Sequence, residues 1–243
     1  VRTGSALRIA GALAAGAAIA LVVASPPAGA APDAATLYRQ AIATTKGWSV
    51  HYTSSGLDSK VTSSESGDAG PASGTQQVLI RRGKTSDQAS LVVIGQLTYM
   101  KANKTALEDL LDLPSAAASD DTDHWVLFST ENPGVSQVVA GIRSESVAQE
   151  LTLKGPLTLG TPRSLDGHRV DAIRGEQDEQ GAKPTSAILY VRASGRPLIV
   201  EEVTVGSQGK PNGEDEITFS RWGERVRPKA PYTTIILGSV SAT

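Results

Sequence analysis

The chain of 243 residues is 40% hydrophobic and 20% charged, with a formal net charge of −2 and no cysteine. That balance lacks the basic footprint of a nucleic-acid partner, and the missing cysteine excludes disulfide frameworks, thiol catalysis and cysteine metal sites together. With only two Phe, three Trp and five Tyr, a core must be built mainly from Val, Leu, Ile and Ala.

The first thirty residues read as an address. Arg2 and Arg8 form a basic start, an apolar run extends from Ile9 to Ala24, and the small residues Ala28, Gly29 and Ala30 precede Ala31. This is the order of a secretory signal peptide. The run is mostly alanine, is interrupted by Gly11 and Gly16, and falls short of the about 20 strongly apolar residues of a spanning helix. Bacterial lipid attachment uses a cysteine after such a segment, whereas Ser25 follows Ala24 here and no cysteine exists. The expectation is a signal peptide at 1–30 followed by one domain at 31–243, with 21 basic against 25 acidic side chains. That domain is expected to be extracytoplasmic, secreted or associated with the cell envelope, and not a lipoprotein.

Within that domain, Asp33 is placed to cap a short amphipathic helix over 33–46 that shows Leu37, Ala41 and Ile42 on one face and stops at Gly47. From Trp48 the texture becomes β-branched and aromatic, predicting a first strand. Residues 58–75, "DSKVTSSESGDAGPASGT", hold almost no apolar side chain and read as a mobile Ser/Gly-rich hairpin loop. Three further strands are predicted at "QQVLIRR", "ASLVVIG" and "QLTYMKA".

In "NKTALEDLLDLP", Ala106, Leu107, Leu110 and Leu111 recur at helical spacing and Pro114 ends the run. "SAAASDDTD" reads as a loop, "HWVLFS" as a short strand, and Val135, Val138, Val139 and Ile142 predict a further helix over 133–149. The remainder is β: "LTLKGPLTLG", "GHRVDAIRG", "TSAILYVRA", "PLIVEEVTV" and "DEITFSRWG", separated by turns at Asp166-Gly167, Ser194-Gly195 and Pro211-Asn212-Gly213. In the first of these, Leu151, Leu153, Leu157 and Leu159 alternate with polar or turn residues, giving one buried face. The fold class is therefore α+β: a curled antiparallel β-sheet with short helices covering its concave face.

No catalytic constellation is visible. His51, His124 and His168 stand apart without metal spacing, so no metal and no cofactor are expected. "GVSQV" at 134–138 lacks the second glycine of a nucleophile elbow, and "DDTD" at 120–123 lacks the rest of a calcium loop. The apolar candidates for lining a ligand cavity are Leu107, Leu110, Leu111, Val138, Val139, Ile142, Leu151, Leu153, Leu157, Leu159, Ile188, Tyr190, Leu198 and Val200. The same residues would equally fill an ordinary core, and the sequence leaves both readings open.

The order of helix, strand meander, short helices and second meander resembles the LolA and LppX/LprG group of exported lipoprotein carriers and lipid-binding proteins. "LTYMKANKTALEDLL", "HWVLF", "LTLKGPL", "LDGHRVDAIRG" and "LYVRASGRPLIVEEV" are similar to stretches of an actinobacterial exported family within that group. The resemblance extends over about 33–232 and implies a LolA-like half-barrel around an apolar cavity that takes acyl chains or another hydrophobic ligand. Absence of the anchoring cysteine departs from the LppX/LprG lipoproteins and points to a diffusible or wall-associated form. No functional residue carries over from the family. The expected function is non-enzymatic binding or transport of a lipid or other hydrophobic envelope ligand by a monomer, with a membrane partner for loading and no nucleic acid. The alternative is an envelope interaction or sensor module with a filled core that binds a protein or cell-wall partner.

Overall fold

The computed structural model describes residues 32–58, 60–129, 139–177, 185–205 and 214–236. The expected signal peptide at 1–30, Val138 and the start of the helix expected from 133 lie outside the described residues.

Helix α1 (Ala34–Gly47) opens the described chain, with Asp33 Oδ1 accepting from the Thr36 N–H at 2.7 Å as its N-cap. It leads into a meander of β1 (Val50–Asp58), β2 (Val61–Ala69), β3 (Ser73–Arg82), β4 (Thr85–Ile94) and β5 (Leu97–Ala102). Helices α2 (Lys104–Leu111) and α3 (Ser115–Asp121) follow, then β6 (Trp125–Ser129), a 3-10 turn over Ala140–Ile142, and helix α4 (Ser144–Glu150). The second meander consists of β7 (Lys154–Leu159), β8 (Arg163–Leu165), β9 (His168–Gln177), β10 (Thr185–Arg192), β11 (Ile199–Val205) and β12 (Glu214–Ser220), with a two-residue β13 (Ile235–Ile236) at the end.

Twelve of these strands pair antiparallel in one sheet, and β13 adds in parallel to β6. The order across the sheet is β13-β6-β5-β4-β3-β2-β1-β12-β11-β10-β9-β7, with β8 continuing the β7 edge along β9. The chain's two meanders are thus joined through the β1–β12 ladder, which pairs Tyr52 with Phe219 and Ser54 with Ile217.

Five expectations are corrected. The α+β class and the antiparallel sheet with helices stand, but the sheet is not strongly curled, and β13 and β7 remain separate edges. Residues 58–75 carry strand β2 and the start of β3 rather than a loop, because a strand hydrogen-bonded on both sides needs no apolar side chains of its own. "SAAASDD", read as loop, is helix α3. The helix expected over 133–149 is, in its described part, the 3-10 turn and α4. The alternation expected along 151–159 also fails. Gly155 adopts φ +73 and the β7–β9 register shifts between Lys154 and Thr158, so Leu157 is half-buried and Leu159 is 50% exposed.

The apolar contacts fall into two clusters. One joins α1 and α4 to the β1, β12, β11, β10 and β9 half of the sheet through Leu37, Ala41, Val147, Leu151, Leu189, Ile199 and Phe219. The other seats α2 and α3 on β4, β5 and β6 through Leu107, Ala118, Leu91, Met100 and Val126, with Ile142 of the 3-10 turn. Asn103 fastens the second. Its Oδ1 caps α2 at the Ala106 N–H and also accepts from the Gln88 N–H, both at 3.1 Å, while its Nδ2 donates to the Ser86 carbonyl at 2.8 Å.

Asp33 makes an exposed cap bond, whereas the Asn103 side chain takes part in four bonds, two within the start of α2 and two to β4. Asp33→Ala should therefore cost about 1 kcal/mol and Asn103→Ala about 2 to 3 kcal/mol, read as the difference in urea midpoint at unchanged m-value.

Candidate functional site

Register explains why the apolar layer splits. In an antiparallel sheet, residues opposite one another share a face. One core-facing row runs Met100, Leu91, Gln76, Gly67, Tyr52, Phe219. The next runs Ala102, Ala89, Val78, Glu65, Ser54, Ile217, Glu202, Leu189, Ile173. In the middle of the sheet, β2 and β3 thus present Gln76, Gly67 and Glu65 to the helices where flanking strands present Leu, Met and Phe. A polar seam results between the two clusters.

The 3-10 turn and α4 close over this seam. A Cβ on Gly74 would stand 2.3 Å from the Ile142 carbonyl, so only glycine lets β3 and the turn approach this closely. The Ser144 N–H donates to the Gly70 carbonyl at 3.2 Å and Ser144 Oγ to the Lys46 carbonyl at 3.1 Å, tying α4 to the sheet and to α1. Beneath them lies a cavity of about 30 Å³ lined by Tyr52, Ser54, Glu65, Gln76, Gly141, Val147, Glu150, Leu151, Ile217 and Phe219. That volume accommodates one water-sized group.

The carboxyl groups here are out of water. Gln76 Nε2 donates to Glu65 Oε2 at 2.8 Å, and Gln177 Nε2 donates to Glu202 and, at 3.1 Å, to the Glu150 carbonyl. Burial pushes Glu65 up to about 7, against the favourable bond from Gln76. Burial also pushes Glu150 and Glu202 up to about 8, with Glu65 and Glu202 raising Glu150 further by like charge. The Tyr52 hydroxyl is raised well above its ordinary value, by burial first and then by Glu65, Glu150 and Asp68. Tyr52 Oη, Gln76 Oε1 and Glu150 Oε1 are buried without a hydrogen-bond partner. Neutral at pH 7, the Glu150 and Glu202 carboxyls tolerate burial that their ionised forms would not.

The candidate lining residues do not converge on one cavity. Leu107 and Ile142 are buried in the second cluster, with Leu110, Leu111 and Val139 half-buried against it. Leu151 and Leu153 belong to the first cluster, Leu157 packs on it, and Leu198 is buried. Ile188 and Tyr190 alternate with buried Ala187, Leu189 and Val191, so they take the helix-free face, where the Arg163 guanidinium lies 3.5 Å over the Tyr190 ring. Val200 is the extra residue of a bulge, since Tyr190 pairs with Glu201 and Val191 with Ile199. Of the candidates, only Leu151 lines the small cavity.

A second hollow, of about 670 Å³, lies on the helix-free face. Its floor is the polar row Thr53, Ser66, Gln77, Ser90 and Lys101, which alternates with the core-facing positions. On this face His51 Nδ1 meets Asp68 at 2.9 Å, and Arg221 meets the same carboxylate at 3.2 Å. No group of three metal-ligating side chains converges among the described residues.

Sequence reading missed Glu65, Glu150 and Glu202. A signal was present for the last. In "LIVEEVTV" two consecutive glutamates in a strand must face opposite sides, so one of them faces the core.

Comparison with solved structures pairs this chain with LprF from Mycobacterium bovis at a TM-score of 0.52 and 16% identity, over 82% of this chain and 96% of that one. The chain has an LprF-like fold. Similarity at lower scores extends to the Mycobacterium tuberculosis lipoprotein LppX (TM-score 0.48, 18% identity, 80% of this chain and 97% of that one). It extends also to a LolA superfamily protein from Nitrosomonas europaea (TM-score 0.31, 10% identity, 82% and 96%). No family model matches the sequence, and no curated protein matches it.

In this LprF-like fold the buried carboxyls set a pH dependence. Raised from an ordinary 4.5 to about 8, Glu150 and Glu202 hold protons in the folded state that the unfolded chain has released. Their contribution to stability is therefore present below about pH 4.5 and falls as pH rises toward 8. At about 1.4 kcal/mol per pKa unit, the Glu150→Gln variant should exceed the parent chain by on the order of a few kcal/mol at pH 8.5 and approach it at pH 5. Thermal unfolding of both proteins across that range measures the difference.

Proposed function

We propose that this chain is an exported, non-enzymatic protein that binds a lipid or other hydrophobic envelope ligand between its helix layer and its sheet. The observation that carries this reading is the division of the layer. Two apolar clusters hold the helices down on either side of a seam with an unfilled, partly unsatisfied cavity, so the layer parts along that seam without breaking a continuous core. The LprF-like fold over most of the chain supports it, as does the sequence resemblance to exported lipid-binding proteins. The signal-peptide pattern at 1–30 supports export, and the lack of cysteine supports a form without a thioether lipid anchor.

The mechanism is apolar burial. Each CH₂ taken out of water contributes ~0.8 kcal/mol, so a sixteen-carbon chain contributes on the order of ten kcal/mol, enough to offset the parting of α2 and the 139–150 segment from the sheet. Leu107, Leu110, Leu111, Val139, Ile142, Leu151 and Leu153 then exchange contacts with one another for contacts with the acyl chain. The domain at 31–243 acts as a monomer in this reading, and a membrane partner loads it.

A second reading has its own observation. The 670 Å³ hollow on the helix-free face is open and lined mostly by polar residues, which fits an interaction module that binds a protein or cell-wall partner on that face.

Solvent extraction of the chain purified from its exporting host, with mass spectrometry of extract and intact protein, separates the two. A stoichiometric amphiphile, and uptake of a fluorescent fatty acid by the stripped protein, is the expected result. A bare mass together with no uptake would leave only the surface module.

A further inference from the structure

The cavity beneath α4 has a defined chemistry. Gln76 is 1% exposed and its Oε1 has no partner; the Glu150 Oε1 and the Tyr52 Oη, also unpartnered, line the same space. The first is an acceptor only, an ionised carboxylate oxygen likewise, and a phenol oxygen accepts as well as donates. The titratable groups lining this space are Glu65 from β2, Glu150 from α4 and Tyr52 from β1, with Glu202 from β11 acting on Glu150, Asp215 from β12 on Glu65 and Glu202, and Asp68 from β2 on Tyr52. Among the described residues no lysine or arginine pairs with Glu65, Glu150 or Glu202, whereas the neighbouring Glu201 pairs with Arg163. Among the described residues the space thus holds acceptors and acids in excess and no cation.

A metal ion does not answer this geometry, since no three of the described carboxylates and histidines converge on one point. A primary ammonium does. Its nitrogen is close in size to the water that about 30 Å³ admits, and its three N–H donors match the three unpartnered atoms. Val147, Leu151, Ile217 and Phe219 form the apolar part of the lining, against which an alkyl chain on the nitrogen would pack.

We propose that this cavity is a subsite for a primary ammonium group on the ligand admitted beneath the helix layer. The inference rests on the hydrophobic-ligand reading above and names the ligand's head. Binding near neutral pH requires the Glu150 carboxyl to lose its proton to solvent and pair with the ammonium. A water in the same space would leave that carboxyl protonated.

Isothermal titration of the full chain near pH 7.5 with octylammonium, octanol, octanoate and ethylammonium tests this, run in two buffers of different ionisation enthalpy so that proton release is counted. Octylammonium is expected to bind at least about ten-fold more tightly than octanol, to release about one proton, and to exceed octanoate, which the acidic surroundings repel. Glu150→Gln should abolish the proton release and the ten-fold advantage. Gln76→Leu, a second variant that leaves every carboxyl in place, should weaken octylammonium alone. Octylammonium bound more tightly than ethylammonium assigns the head to an amphiphile; equal affinities support the subsite and assign it to free small amines. Equal affinity for octanol and octylammonium, or an unchanged Glu150→Gln variant, overturns the subsite and leaves the hydrophobic-ligand reading standing. Failure of every octyl probe and of the fluorescent fatty acid overturns both.

Discussion

Carboxyl groups are tolerated away from water only when protonated, hydrogen-bonded or paired with a cation, and three of them sit under α4. This constraint organises much of the molecule. Glu65 and Glu202 are held by Gln76 and Gln177, and burial keeps Glu150 and Glu202 mostly protonated at neutral pH. The lid over them is secured by contacts that do not involve the carboxyls at all: the close approach of the 3-10 turn to Gly74, the bonds of Ser144, and the apolar feet Val147 and Leu151. The seam thus carries little charge at neutral pH, with Glu65 alone raised no further than about 7, and the lid is anchored to either side of it.

In the reading proposed here, such an arrangement separates the work of folding from that of binding. The two apolar clusters supply cohesion at the flanks, where α1 meets the β9 to β12 half and α2 meets β4 and β5. The centre is spared, since Gln76 and Glu65 stand where apolar side chains would continue the core, and Gly67, whose Cβ would meet the Thr75 carbonyl at 2.3 Å, admits no side chain at all. Replacing buried polar groups with well-packed apolar ones is often neutral or stabilising, so their presence here calls for a reason other than stability. The proposed binding seam supplies one.

Much of the fold is legible in the sequence where local chemistry and tertiary demand agree. Asp33 and Gly47 bracket α1, and alternating Leu91, Val93 and Met100 mark β4 and β5. β2 is not legible, because its Ser, Thr and Gly residues are set in a strand by hydrogen bonds to two neighbours far better marked than itself. α3 hides for the opposite reason: Ala118 alone carries its apolar burial, too little to make a periodicity. The seam escapes a linear reading because Glu65, Glu150 and Glu202 come from three separate elements and meet only through register. Where apolar residues were singled out, as in Leu198 and Val200, the glutamates beside them held the chemistry. The bulge that places Val200 is equally silent in the sequence, being a property of the β10–β11 pairing.

The edges of the sheet bear on its fate outside the binding reaction. One edge is the two-residue β13; the other is β7 and the three-residue β8, with Gly155 in a left-handed conformation, a register shift and Pro156, which has no N–H to offer. An edge that is short, bent or short of donors is a poor template for a neighbouring chain. A β-rich polypeptide must remain unaggregated while crowded with copies of itself, and here that protection is written into the irregular strand ends. The broken alternation along 151–159, unhelpful to the core, is a means of keeping separate molecules from zipping together.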